Sequence, residues 1–187
     1  MRSPRLVIEL PSWVDRHVDW QRPYARAEDR MACVIALGLE QVRRATGGPF
    51  AAAVFERDAG RLVAVGVNLA VPSHNCVLHA EVVALMMAGA RLHSHSLGAD
   101  GMPPHELVSS CEPCAMCLGA AFWSGVRSLV TGATKSDAEA IGYDEGPVFP
   151  ESYAYLERKG VRVVREVMRA EACGLFAAYQ AAGGEIY

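Results

Sequence analysis

Apolar residues recur along this chain with two different periods, and the alternation between them sets the order of elements. Across residues 29–44, Met31, Ile35, Leu39 and Val42 follow one another at spacings of four, four and three. That spacing predicts an amphipathic helix, with Arg43 and Arg44 in its last turn and Gly47-Gly48-Pro49 as its stop. Residues 50–56 and 61–68 are short apolar runs on either side of the turn Asp58-Ala59-Gly60, which predicts a hairpin. The second run is apolar on both faces, with Leu62 and Ala64 on one and Val63, Val65 and Val67 on the other, so it should be covered from both sides.

From there, helical and strand patterns alternate. Helices are predicted over 79–91, 114–123, 153–159 and 169–181, strands over 106–109, 128–133 and 161–165, and a loop over 135–150. This order predicts an α/β fold, a mixed sheet of about five strands between helices in three layers. Residues 1–26, with Pro4, Pro11, Pro23, Trp13 and Trp20, read as an irregular N-terminal arm lying on a single domain of residues 27–187.

Composition narrows the function classes. The 187 residues suit one domain with a substantial core, and 51% hydrophobic with 21% charged residues excludes a disordered chain. A net charge of −3 with no basic stripe opposes a nucleic-acid partner. No stretch approaches the roughly 18–20 apolar residues that span a bilayer. Near the N-terminus, Leu6-Val7-Ile8 is cut short by Glu9 and Pro11, which makes a poor signal peptide. Three of the six cysteines, Cys111, Cys114 and Cys117, fall within seven residues. A disulfide scaffold would spread them, so a metal site in a reducing cytoplasm is the expectation.

Two segments carry the chemistry. His79-Ala80-Glu81 and Pro113-Cys114-Ala115-Met116-Cys117 each open a predicted helix. Together they form H-x-E…P-C-x-x-C, the signature of zinc-dependent deaminases. Zinc takes imidazole and thiolate ligands in tetrahedral geometry, and three protein ligands leave a fourth position for water. Cys114 and Cys117 lie one helical turn apart and can face one point, Pro113 suits a helix entry, and the positive helix ends favour thiolates. Composition alone predicts on the order of 0.01 occurrences of P-C-x-x-C, so this segment holds nearly all of the specificity. A closed structural site with Cys111 as fourth ligand, or a redox Cys-x-x-Cys, would leave His79-Ala80-Glu81 or the size of the core unexplained.

On these residues the chain resembles the cytidine-deaminase-like superfamily and, within it, the bacterial guanine deaminases. Gly47-Gly48-Pro49-Phe50, Asn68, His79-Ala80-Glu81, residues 110–117 and Gly142-Tyr143-Asp144-Glu145 fall where that family has its own blocks. The resemblance implies one Zn²⁺ per chain on His79, Cys114 and Cys117, with Glu81 as proton shuttle and Glu145 as a second catalytic acid. It implies substrate contacts from Asn68, Phe50, Ala80, Trp123 and Tyr187. It implies hydrolysis of a free purine-like base, guanine to xanthine plus ammonia, by a cytoplasmic homodimer that exchanges its C-terminal segment. Guanine deaminases often carry two aspartates where Asp144-Glu145 stands here, which leaves room for an amino-triazine such as ammeline. Within the superfamily the alternatives are a tRNA adenosine deaminase, which would need a basic surface, and a cytosine- or cytidine-type deaminase. Outside it stands a non-catalytic, zinc-stabilised interaction protein, which should unfold when chelated.

Overall fold

In the computed structural model, which describes Ser3 and residues 5–187, five strands form one sheet in the order β2-β1-β3-β4-β5. The hairpin β1 (Ala51–Glu56) and β2 (Arg61–Val67) is antiparallel, and β1 also pairs antiparallel with β3 (His105–Cys111). The parallel half follows, β3 beside β4 (Ser128–Ala133) and β4 beside β5 (Arg162–Val164). All but the first residue of β2 are buried, as its two-faced apolar pattern requires.

One face of the sheet packs on α2 (Ala27–Arg43) and α7 (Arg169–Ala181), through Met31, Val34 and Leu37 and through Leu175 and Phe176. The other packs on α3 (Ala80–Leu92), α4 (Ala115–Ser124) and α6 (Pro150–Arg158), through Ala84, Ala88, Leu118, Ala121 and Leu156. The predicted three layers are therefore present. Register brings the functional segments to one end of the sheet. Ala51 faces Val67 and Ala52 faces Ser109, so Phe50, Asn68 and the residues after Cys111 come together. This is the carboxyl end of the parallel strands, where α/β sheets place their ligands.

Three expectations are corrected. The loop expected over 135–150 begins with a short helix, α5 (Lys135–Glu139). Its N-cap Thr134 accepts from the Asp137 backbone N–H, and Asp137 returns the bond, so a capping box nucleates it. The N-terminal arm contains a one-turn helix, α1 (Val14–His17), and Trp13, Val14, Val18 and Tyr24 lie inside the core. The parts of the expected arm at Met1, Arg2 and Pro4 lie outside the described residues. Leu39, placed on the buried stripe of α2 by its spacing, is exposed, whereas Gln41 is fully buried.

A buried ion pair ties α2 to the sheet. Arg30 Nη1 donates to Glu106 Oε1 at 2.6 Å, and both residues are buried. The pair is fully hydrogen-bonded: Arg30 also donates to the carbonyls of Tyr24 and Arg57, and Ser128 Oγ donates to Glu106 Oε2. Removing one partner leaves the other charge buried, at a cost of about 3–5 kcal/mol. Arg30→Met should lose that much in urea unfolding, and Arg30→Met/Glu106→Gln should lose less than the sum of the two single changes. A loss below about 1 kcal/mol for Arg30→Met, the range of exposed pairs, would contradict this reading.

Candidate active site

His79 and Cys114 are the N-cap residues of α3 and α4, and neither side chain caps its helix. An N-cap side chain ordinarily accepts a bond from the first turn; here both turn toward a common point. Cys117, one turn into α4, completes a cluster whose ligand atoms all lie within 4.8 Å of one another, with Cys114 Sγ 3.5 Å from His79 Nδ1. One imidazole and two thiols at that spacing fit a tetrahedral zinc with one position open. Two helix N-termini face the cluster and favour its negative charge. Hydrogen bonds from Cys117 and His79 hold the Cys114 thiol down at about 4, and the bond to Cys114 together with burial pushes Cys117 up. Cys111 is buried and contacts the Thr134 carbonyl, and it is not among the clustered ligands.

Above the cluster lies a cavity of about 210 Å³. Phe50, Asn68, His79, Glu81, Cys114, Glu145 and Tyr187 all line it. Ala80 and Cys117 are fully buried and do not line it. Trp123 does not reach it either: it is 80% exposed at the end of α4, on the outer surface of the molecule. The residues that the sequence reading did not single out are Ala70, Cys76, Glu112, Tyr143 and Asp144. Tyr143, Asp144 and Glu112 sit within blocks that carried the family resemblance, which was their only signal.

Glu81 occupies the first turn of α3, and Ser109 Oγ on β3 donates to its Oε1 at 3.2 Å. Burial, followed by the charge of Cys114, raises its carboxyl above the ordinary range. Glu145 is only 7% exposed, so it is not a solvated loop acid. Its carbonyl accepts from Ala115 N–H at the start of α4, Lys135 Nζ donates to the Gly146 carbonyl, and Gly146 N–H donates to Asp144 Oδ1. The loop is thus clamped from both sides, and burial with the nearby Glu81 raises the Glu145 carboxyl to about 8.

Asn68 follows β2, and its Oδ1 accepts from Ala70 N–H at 3.0 Å. That bond fixes which end of the amide is oxygen and leaves the two N–H donors for a ligand. Phe50, Tyr143 and Tyr187 form an edge-to-face series with ring centroids 4.9 and 5.5 Å apart. The tail places Tyr187 against Gly48, where a Cβ would lie 2.4 Å from the phenol oxygen. A single chain therefore closes its own cavity with its own tail.

Residues 26–133 match the model of the cytidine and deoxycytidylate deaminase zinc-binding region, and the chain belongs to that family. Among its members it is similar to the guanine deaminase from Nitrosomonas europaea, at 46% identity over 97% of this chain and 99% of that one, with a TM-score of 0.91. A mutant protein solved in complex with 8-azaguanine is similar at 46% identity, 97% and 98% coverage and a TM-score of 0.90. The guanine deaminase of Bacillus subtilis is 34% identical over 117 residues, 63% of this chain and 70% of that protein.

Cys114→Ala and Cys117→Ala should each purify with little zinc, because two remaining ligands hold the ion poorly. Elemental analysis decides the point, and normal metal content in both variants would mean that the ligand set is wrong.

Proposed function

We propose that this chain is a zinc-dependent aminohydrolase that converts guanine to xanthine and ammonia. The observation that carries the proposal is one cavity holding a His/Cys/Cys cluster, two buried carboxyl groups and an oriented amide. The similar guanine deaminases and the 8-azaguanine complex support the choice of base. The cavity volume, about 210 Å³, is below the roughly 300–1,000 Å³ of sites for drug-sized ligands, which suits one ring system without a sugar.

His79, Cys114 and Cys117 would hold the ion, which supplies Lewis acidity and lowers the pKa of a water toward neutrality. Glu81 takes the proton of the attacking water and carries it to a ring nitrogen of the base, making the amino-bearing carbon electrophilic. With Oε1 engaged by Ser109, we assign the travelling proton to Oε2. Glu145 holds a proton at neutral pH and donates it to the departing amine, a poor leaving group when unprotonated. Asn68 binds the edge of the base through its N–H donors. Phe50 and Tyr187 wall the ring, and the closed cavity keeps bulk water from the polar contacts.

The six cysteines are free thiols, which supports a reducing, cytoplasmic setting. Among the described residues, no helix is long and apolar enough to cross a membrane. We propose a homodimer formed through the outer face of α3 and α4. There Leu85, Met86, Ala120 and Trp123 are partly or largely exposed with no charged side chain among them. With Tyr187 in its own chain's cavity, that dimer needs no exchange of tails. Trp123→Asp should dissociate it, and a monomeric wild type in sedimentation velocity would contradict it.

An ammonia-release assay over guanine, ammeline, cytosine, adenosine and tRNA tests the substrate, with guanine expected to be turned over fastest. Glu81→Gln should keep zinc and lose activity by more than the roughly 10²–10⁴ of one proton transfer, because the group acts more than once per turnover. Glu145→Gln should lower kcat with little change in KM, since the amine becomes basic only in the transition state. A zinc-loaded Glu81→Gln with near wild-type activity would overturn the mechanism. An unchanged Glu145→Gln would remove Glu145 from it.

A further inference from the structure

We infer that Gln41 is a positioning residue for Asn68, held in place by a buried relay that starts in the N-terminal segment. The inference rests on the base-binding role of Asn68 proposed above. Gln41 has no contact with the cavity, yet it is a fully buried polar residue on α2 amid apolar neighbours. A buried amide in such a place costs stability unless it is hydrogen-bonded. Every bond it makes runs in one direction. Trp13 Nε1 donates to Thr46 Oγ1 at 3.2 Å, Thr46 Oγ1 donates to Gln41 Oε1 at 2.7 Å, and Gln41 Nε2 donates to the backbone carbonyl of Asn68 at 2.8 Å.

The direction matters because a hydroxyl can accept and donate at once, whereas an amide is either right or flipped. The indole N–H is a donor only, so Thr46 must accept from it and spends its own proton on Gln41. Gln41 must then present its NH₂ end to Asn68. The relay therefore fixes the Gln41 amide without appeal to packing. Beside it, Gly47 leaves the space that the contact needs. A Cβ there would lie 2.0 Å from the Asn68 carbonyl oxygen and 2.2 Å from Gln41 Nε2.

Asn68 is consequently fixed at three atoms. Its N–H donates to the Phe50 carbonyl, its carbonyl accepts from Gln41, and its Oδ1 accepts from Ala70 N–H. The first and third bonds come from neighbouring segments at the cavity wall. Only the second reaches it from outside, from α2 and, through Thr46, from Trp13 next to α1. With the peptide plane after Asn68 set, the Cα–Cβ direction is set, and the side-chain donors meet the base without reorganising. A mispositioned donor weakens binding of the base while leaving the proton carriers untouched, so the effect belongs in KM.

Steady-state kinetics on guanine with zinc-verified Gln41→Met, Thr46→Val, Asn68→Ala and Gln41→Met/Asn68→Ala test this. Gln41→Met should raise KM about tenfold with kcat within about threefold, the pattern of lost uniform binding. Thr46→Val, which removes only the hydroxyl, should shift KM the same way by less, and it carries the test if Gln41→Met does not fold. The double variant should be no worse in KM than Asn68→Ala, because Gln41 acts only through Asn68. KM values unchanged in both Gln41→Met and Thr46→Val would overturn the inference. So would a double variant whose KM multiplies the two single effects, as independent structural damage would produce. An unchanged KM in Asn68→Ala would instead overturn the base-binding role of Asn68, and this inference with it.

Discussion

The backbone of α3 lies almost against β2, and the active-site geometry depends on that contact. A Cβ on Gly66 would sit 2.2 Å from the Ala80 carbonyl oxygen and 2.4 Å from Ala84 N. With no Cβ in the way, the first turn of α3 can descend to the sheet. That descent brings His79 beside Cys114, and Glu81 to Ser109 on β3. A helix held away by one methyl group would move the imidazole and the carboxyl together, and a cluster spanning 4.8 Å has little tolerance for such a shift. The small residues Ala80, Ala84 and Ala88 along the same face serve the same close approach.

The approach has an electrostatic cost. Glu81, Glu145 and the Cys114 thiolate share one buried volume, and like charges in low dielectric repel strongly. The protein answers in two ways. Two helix N-termini point at the cluster, and the carboxyl groups are held toward their protonated forms by burial and by each other. Proton carriers that are reluctant to ionise are useful in a reaction that must protonate a ring nitrogen and an amine. Glu112 shows the opposite treatment: it lines the same cavity but pairs with Arg165 and accepts from Lys135 N–H, which holds it as a structural charge.

Much of this was legible in the sequence because hydrophobic period and ligand spacing are local. The hairpin, the helix over 169–181, the strand over 128–133 and the His79/Cys114/Cys117 set depend on residues close together in the chain, or on a motif whose spacing is its meaning. What was not legible depends on distant segments. Glu145 looked like a loop acid because Gly146-Pro147 flank it, and its burial comes from α4 and Lys135. Trp123 looked like a cavity wall, yet helix phase turns it outward. Gln41 looked like an ordinary polar position on α2, and its partners lie 27 residues away at Asn68 and, through Thr46, at Trp13 in the segment expected to lie outside the domain.

The central claim is that water, directed by the residues of this cavity, replaces the amino group of a free base. The most direct measurement is mass spectrometry of the product formed by the zinc-loaded protein from guanine in water enriched in heavy oxygen. The account predicts xanthine carrying one heavy oxygen, released together with one ammonia per turnover. Guanine recovered unchanged under these conditions, or xanthine without the label, would contradict it.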